Sequence, residues 1–177
     1  MKKTKLILLI LLYCFPTSVF AQTLENRTTY FNPYTQTQIS EKYTVIKGTP
    51  TKHGTYKKYD KEGTLVYQAT YKDNKKNGPA KSYYGRSEVS TFSYTLNSIG
   101  KLSGEYHFVD DVSHGEAKQY LYKKDGTRVN KSFKIFENGE IVKFIEYFPN
   151  GEIKKLRDKN GCGTHSLKRL SSEDFLY

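Results

Sequence analysis

A twelve-residue beat limits what this chain can become more than any other feature. Gly54-Thr55-Tyr56-Lys57-Lys58-Tyr59 returns 24 residues later as Gly78-Pro79-Ala80-Lys81-Ser82-Tyr83, and again as Gly115-Glu116-Ala117-Lys118-Gln119-Tyr120. Near the end, Phe136-Glu137-Asn138-Gly139-Glu140-Ile141 is echoed twelve residues on by Phe148-Pro149-Asn150-Gly151-Glu152-Ile153. Twelve residues are one strand plus one tight turn, and two such lengths make a β-hairpin. Self-similarity at this period predicts an array of repeated hairpins rather than one irregular globule.

The turn chemistry agrees with the period. Asn138-Gly139 and Asn150-Gly151 suit type I′ turns, in which both central residues take positive φ, while 60–63 and 123–126 suit longer turns ending on a left-handed glycine. Gly54, Gly63, Gly78, Gly115, Gly126, Gly139 and Gly151 are read as the turns that define the repeat. Between them side chains alternate: Leu65, Tyr67, Ala69 and Tyr71 share one parity, Val66, Gln68, Thr70 and Lys72 the other. Strands are predicted at 43–47, 54–59, 64–72, 79–84, 89–97, 102–109, 116–122, 129–137, 140–148 and 152–157. Sixteen Tyr, ten Phe and no Trp place much of the apolar content in rings that favour strands. The expected fold class is all-β, an elongated antiparallel meander of hairpins.

The flanks read differently. Residues 1–21 combine the basic Met1-Lys2-Lys3-Thr4-Lys5, the apolar run 6–12 and small residues ending at Ala21, which is the pattern of a secretory signal peptide. Cleavage would remove Lys2, Lys3 and Lys5 but no acid, so a chain of formal charge +11 stays basic, exported to a periplasmic or extracellular location and without a membrane anchor. Retention of that segment as a helix is the rival, weakened by Pro16 and its short apolar core. Residues 22–51 read as an irregular lead-in with one strand, 52–157 as the repeats, and 158–177 as a glycine- and cysteine-containing tail. Leu167, Leu170 and Phe175 would suit a short C-terminal helix over the last strand edge, or a frayed end.

The unit Gly54 to Leu65, followed by Ala69-Thr70-Tyr71-Lys72-Asp73-Asn74-Lys75-Lys76-Asn77-Gly78, resembles the bacterial variant of the MORN repeat, the kind found in proteins labelled YwqK-like antitoxins. The resemblance covers residues 52–156, with the middle departing from it: no Asn-Gly turn lies between Tyr84 and Gly104, where a unit has drifted or a hairpin has lengthened. The variant usually has Trp or Tyr where this chain has Ala80 and Ala117, so those strands should pack more thinly. What the resemblance implies is an open hairpin sheet serving as a scaffold or interaction module, sometimes at membranes. It implies no activity, because a fold does not fix a function.

Catalytic sets are sparse. His107, Asp110, Asp111 and His114 lie in one short stretch and could hold a divalent metal if folded together, which makes a small metal-dependent enzyme the alternative; Asp and Ser there equally suit a plain turn. Cys162 and His165 sit in a glycine-rich segment that offers no shaped pocket for a nucleophile. Only Cys162 remains after cleavage, so no disulfide can staple the mature chain. No cofactor motif is present. Asn26-Arg27-Thr28 matches a glycosylation sequon, a pattern that also arises by chance.

The remaining signal is basic. Lys72, Lys75, Lys76 and Lys81 surround one hairpin, and Lys154, Lys155, Arg157 and Lys159 crowd the last. Interleaved with tyrosine, such groups make a candidate surface for acidic lipid or glycan, whereas lysines on turns and edges also serve simply to keep edges apart. The expected task is therefore non-enzymatic: presenting a basic, Tyr-rich sheet to a protein or an acidic envelope component, with nucleic acid a poor partner for an exported chain and a purely structural spacer as the remaining option.

Overall fold

Backbone geometry at the turns explains the architecture. In the computed structural model, which describes residues 22–86 and 98–158 and the backbone of 161–163, one antiparallel sheet runs in strict sequence order. Its strands are β1 (Leu24–Tyr30), β2 (Ile39–Ile46), β3 (Lys52–Tyr59), β4 (Leu65–Lys72), β5 (Lys75–Tyr83), β6 (Leu102–Val109), β7 (Val112–Ser113), β8 (Gly115–Tyr122), β9 (Arg128–Glu137), β10 (Glu140–Tyr147), β11 (Ile153–Asp158) and β12 (Gly161–Gly163). β7 pairs only with β6 and continues into β8; every other strand lies beside its sequence neighbours, and the first and last do not meet. The sheet is open, an all-β meander with no closed barrel. No described helix is long and apolar enough to cross a membrane.

Two kinds of turn alternate. On one side are two-residue turns with positive φ at both positions: Asp73-Asn74, Asp110-Asp111 and Asn138-Gly139. On the other are three-residue loops closed by a left-handed glycine at Gly63, Gly126 and Gly151; each glycine N–H bonds back to residue 60, 123 or 148, whose own N–H bonds across the loop. Asn150-Gly151 therefore departs from the expected two-residue turn: only Gly151 has positive φ, because Pro149 fixes the first loop position and completes a three-residue loop.

The two-residue tips dock onto the preceding hairpin. Asn74 N–H donates to the Lys52 carbonyl (2.9 Å) while Asn74 Oδ1 accepts the Lys52 N–H (2.7 Å). Asp111 repeats both bonds with Lys76, at 2.9 and 2.8 Å, and Gly139 N–H donates to the Ser113 carbonyl (3.1 Å). The first turn residue adds a side-chain contact, His53 to Asp73 (3.4 Å) and Asn77 to Asp110 (3.0 Å). Non-glycine residues at positive φ cost about 1–2 kcal/mol each, which these reciprocal bonds help to offset.

Gly54, Gly78 and Gly115 are not turns. They lie on strands, at φ 93°, 105° and 69°. Around Gly54 and Gly78 the register slips by two residues, from Tyr43↔Tyr56 to Val45↔Lys52 and from Ala69↔Ala80 to Tyr71↔Lys76. A bulge this tight needs a residue that tolerates φ near 90°, so the repeated glycine marks a kink within the strand. The equivalent position in the last hairpin is Lys143, and there the slip is a single residue.

Other boundaries moved too. β5 starts at Lys75, so Lys75 and Lys76 lie on a strand where a turn reaching Gly78 was expected. The lead-in carries a second strand, β1, whose polar sequence hides it; backbone pairing with β2 and a Thr29–Ser40 side-chain bond (2.9 Å) hold it there. β5 pairs directly with β6, with Tyr84 N–H to the Lys101 carbonyl and Gly100 N–H to the Tyr84 carbonyl closing a neck, so the middle hairpin is lengthened. The strand expected at 89–97 and the helix expected after Ser166 fall outside the described residues, while the tail contributes β12.

Candidate functional site: two faces and a change of side

Directly paired residues share a face of a sheet, so the register converts sequence into surface. One row reads Tyr43, Tyr56, Ala69, Ala80, Tyr106 across β2–β6. This tyrosine face holds most of the core: Val45, Tyr56, Ala69 and Ala80 are buried, with Tyr56 packed against Tyr43, Tyr67 and Tyr71 at 5.3–6.3 Å between ring centroids. Tyr56 Oη donates to Glu41 Oε1 (2.6 Å), and Lys52 Nζ caps the cluster 4.9 Å above the rings of both Tyr43 and Tyr56.

The opposite row reads Lys42, Lys57, Gln68, Lys81, Glu105. On the same side, Lys72 faces Lys75 directly, and Thr55 faces Thr70. Alternation adds Thr44. From β2 to β5 this face therefore holds five lysines among Thr and Gln, and no strand residue there contributes a carboxylate. Lys42–Lys57 and Lys72–Lys75 are like charges directly opposed, about 5 Å apart at Cβ, an arrangement that weakens a sheet. Lys81 has a loose ion pair with Glu105 (3.7 Å). For Lys42, Lys57, Lys72 and Lys75 no carboxylate lies within ion-pair distance among the described residues.

The faces exchange character between β6 and β9. Extended past Glu105, the lysine row becomes Lys118, Phe133, Ile145, Leu156, whereas the tyrosine side carries Ala117, Lys134, Phe144, Arg157. The buried ring on β8 is consequently Tyr120, on the lysine side, where its Oη donates to Glu105 Oε2 (2.6 Å) and Arg128 stacks 4.5 Å from its centroid.

This geometry divides the basic residues that the sequence grouped. Lys72, Lys75 and Lys81 share the lysine face, but Lys76 pairs with Tyr71 on the other side and stands 4.9 Å over the Phe108 ring. Lys155 and Arg157 pair with Glu146 and Phe144 on the tyrosine side, and Lys154 is bound to Glu146 (2.8 Å). Lys159 lies outside the described residues. Lys72, Lys75 and Lys81 thus lie on one side of the sheet, and Lys76, Lys155 and Arg157 on the other. Lys42 and Lys57, outside both sequence clusters, complete the lysine face; counting parity outward from Tyr43 and Tyr56 finds both.

His107 and His114 have ring centroids 6.5 Å apart. The carboxylates between them serve the turn docking described above, Asp110 accepting from Asn77 and Asp111 from the Lys76 N–H.

Burial governs the titration of the rings. It raises Tyr56, aided by the bond to Glu41, and it raises Tyr71; Tyr67 and Tyr120 are pushed up to about 12. The Tyr120 hydrogen bond and then Lys81 hold Glu105 below the usual carboxylate range. Raised tyrosines favour the folded state while neutral, so that stability is fully present below pH 10 and is lost as pH rises through about 12. In an alkaline titration, a fraction of the phenolate absorbance should appear late and together with loss of the sheet signal in circular dichroism. Complete ionisation near pH 10 with the sheet intact would contradict this packing.

No known protein family matches the chain, and no curated protein does either.

Proposed function

We propose that this is an exported, non-enzymatic repeat protein that binds an acidic polysaccharide through the lysine face of β2–β5. The observation that carries the reading is the pair of directly opposed lysine couples, Lys42–Lys57 and Lys72–Lys75, on a face to which no residue of β2–β5 contributes a carboxylate. Leaving such pairs uncompensated costs stability, and an anionic partner removes the cost while gaining several charge-assisted contacts. Threonine hydroxyls and the Gln68 amide between the lysines offer hydrogen bonds to a hydrated polymer, whereas a lipid surface is usually met by an apolar or ring-bearing side.

The MORN-like hairpin repeat supports a binding or scaffolding role over catalysis. The basic and apolar opening of the sequence supports export, and expression in a bacterium with a general secretory pathway should yield a mature chain beginning at Gln22 by intact mass. Retention of residues 1–21 would contradict that part. Binding is tested by titrating the mature chain with an acidic glycan, its neutral counterpart and acidic lipid vesicles. Affinity for the acidic glycan alone, falling steeply with salt, is the expected result; equal binding to vesicles, or none at low salt, would overturn it.

A further inference from the structure

On the far part of the tyrosine face the sheet contains a depression that the lysine face does not explain. In β3 the residue two beyond the bulge glycine is Tyr56, which fills its side of the sheet; in β8 the same position is Ala117. Ala117 lines a cavity of about 220 Å³. Tyr106, Phe108 and Phe136 form its walls. All three lie on the tyrosine face, paired with Ala80, Gly78 and Gly115.

Polar groups line the cavity at both ends, His107 and Ser113 beside Phe108, and Gln119 and Ser132 toward Tyr106. Ser132 Oγ donates to Gln119 Oε1 (3.0 Å), which orients the amide so that Nε2 reaches Tyr106 Oη only at 3.5 Å. An amide nitrogen carries two N–H groups, and among the described residues only this long contact engages them. Lys134, opposite Ala117, lines the cavity with its Nζ 5.6 Å above the Phe144 ring. Beyond Phe144 the same row continues to Arg157, so positive charge leads away from the cavity along the face.

We propose that this cavity is a subsite for one ring of a hexuronic acid, distinct from the lysine face and on the other side of the sheet. A sugar ring has an apolar C–H side that packs on aromatic walls and hydroxyls that take an amide N–H; its carboxylate meets Lys134. The volume suits one ring and is below that of pockets that enclose larger ligands. A neutral sugar leaves Lys134 unused, and a bare anion leaves the three rings unused.

Nitrogen–proton correlation spectra of the mature chain, titrated with glucuronate, glucose, inorganic phosphate and uridine monophosphate, test the proposal. Glucuronate should shift the amides of Ala117, Gln119 and Lys134, with glucose weaker by about tenfold, the weight of one charged contact. Ala117→Tyr should abolish the response, because the ring occupies the cavity as Tyr56 does on β3. Lys134→Gln should reduce glucuronate to the level of glucose, and this variant carries the test if Ala117→Tyr does not fold. Charge reversal at Lys72, Lys75 and Lys81 should leave the response intact, which separates this site from the lysine face. No response, an equal one to phosphate, a stronger one to the nucleotide, or persistence in a folded Ala117→Tyr variant would overturn the assignment.

Discussion

Gly54→Val should lower the melting temperature by about 10 °C, far more than Lys143→Ala at the equivalent place in the last hairpin. Gly54 has φ 93°, where a β-branched residue is strained by about 1–3 kcal/mol. Its Cβ would also stand 2.5 Å from Thr44 Oγ1, and overpacking of that kind costs a further ~1–3 kcal/mol. For a chain of this size each kcal/mol moves the midpoint by about 2–4 °C. Lys143 sits at a one-residue bulge and does not have positive φ, so its truncation should change stability by less than about 0.5 kcal/mol. Thermal denaturation followed by circular dichroism measures both. Equal, small effects would mean that the bulge glycines do not organise the repeat.

The triple change Lys72→Glu, Lys75→Glu and Lys81→Glu should weaken binding to an acidic glycan by about 100-fold or more with the fold retained. Each cation near an acidic surface contributes about 1 kcal/mol, and ~1.4 kcal/mol is tenfold in affinity. The new carboxylates add repulsion to that loss. Lys72 and Lys75 are exposed and Lys81 is half exposed in its one loose ion pair, so the cost to the fold is confined to the carboxylate that Lys81→Glu sets opposite Glu105. The same reversal at Lys154, Lys155 and Arg157 should have little effect on this binding, because those groups lie on the other side of the sheet. Salt offers an independent check, since screening length falls from about 10 Å at 0.1 M to about 3 Å at 1 M. Unchanged affinity in the triple variant would move the binding surface elsewhere.

The hairpin period and the positions of most strands were legible because they rest on local chemistry. Asn138-Gly139 announces its turn by residue type, and alternation through Tyr67, Ala69 and Tyr71 announces a face. Asp73-Asn74 and Asp110-Asp111 escaped as two-residue turns because no glycine marks them; they are stabilised from a distance, by Lys52 and Lys76. β1 escaped because Leu24–Tyr30 is almost wholly polar and gains its place from β2.

The candidate site was less legible, for a reason tied to bulges. Slips occur in most strand pairs of this sheet, and the one-residue slips in β9–β10 and β8–β9 reset the relation between sequence parity and surface, whereas the two-residue slips at Gly54 and Gly78 keep it. Lys75 and Lys76 are adjacent in sequence but end on opposite faces, and Lys81 and Lys155 look alike in sequence but face opposite sides. Tyr56 and Tyr120, both bonded to a glutamate fifteen residues earlier, lie on opposite sides because Tyr56 stands two residues after its strand's glycine and Tyr120 five, an odd difference in a two-residue alternation.

Lysine acetylation footprinting of the mature chain, with and without an acidic polysaccharide and read by mass spectrometry, tests the central claim most directly. The account predicts protection of Lys42, Lys57, Lys72, Lys75 and Lys81 together, with Lys76, Lys154 and Lys155 modified at an unchanged rate. Protection spread evenly over both groups, or confined to Lys154 and Lys155, would contradict it.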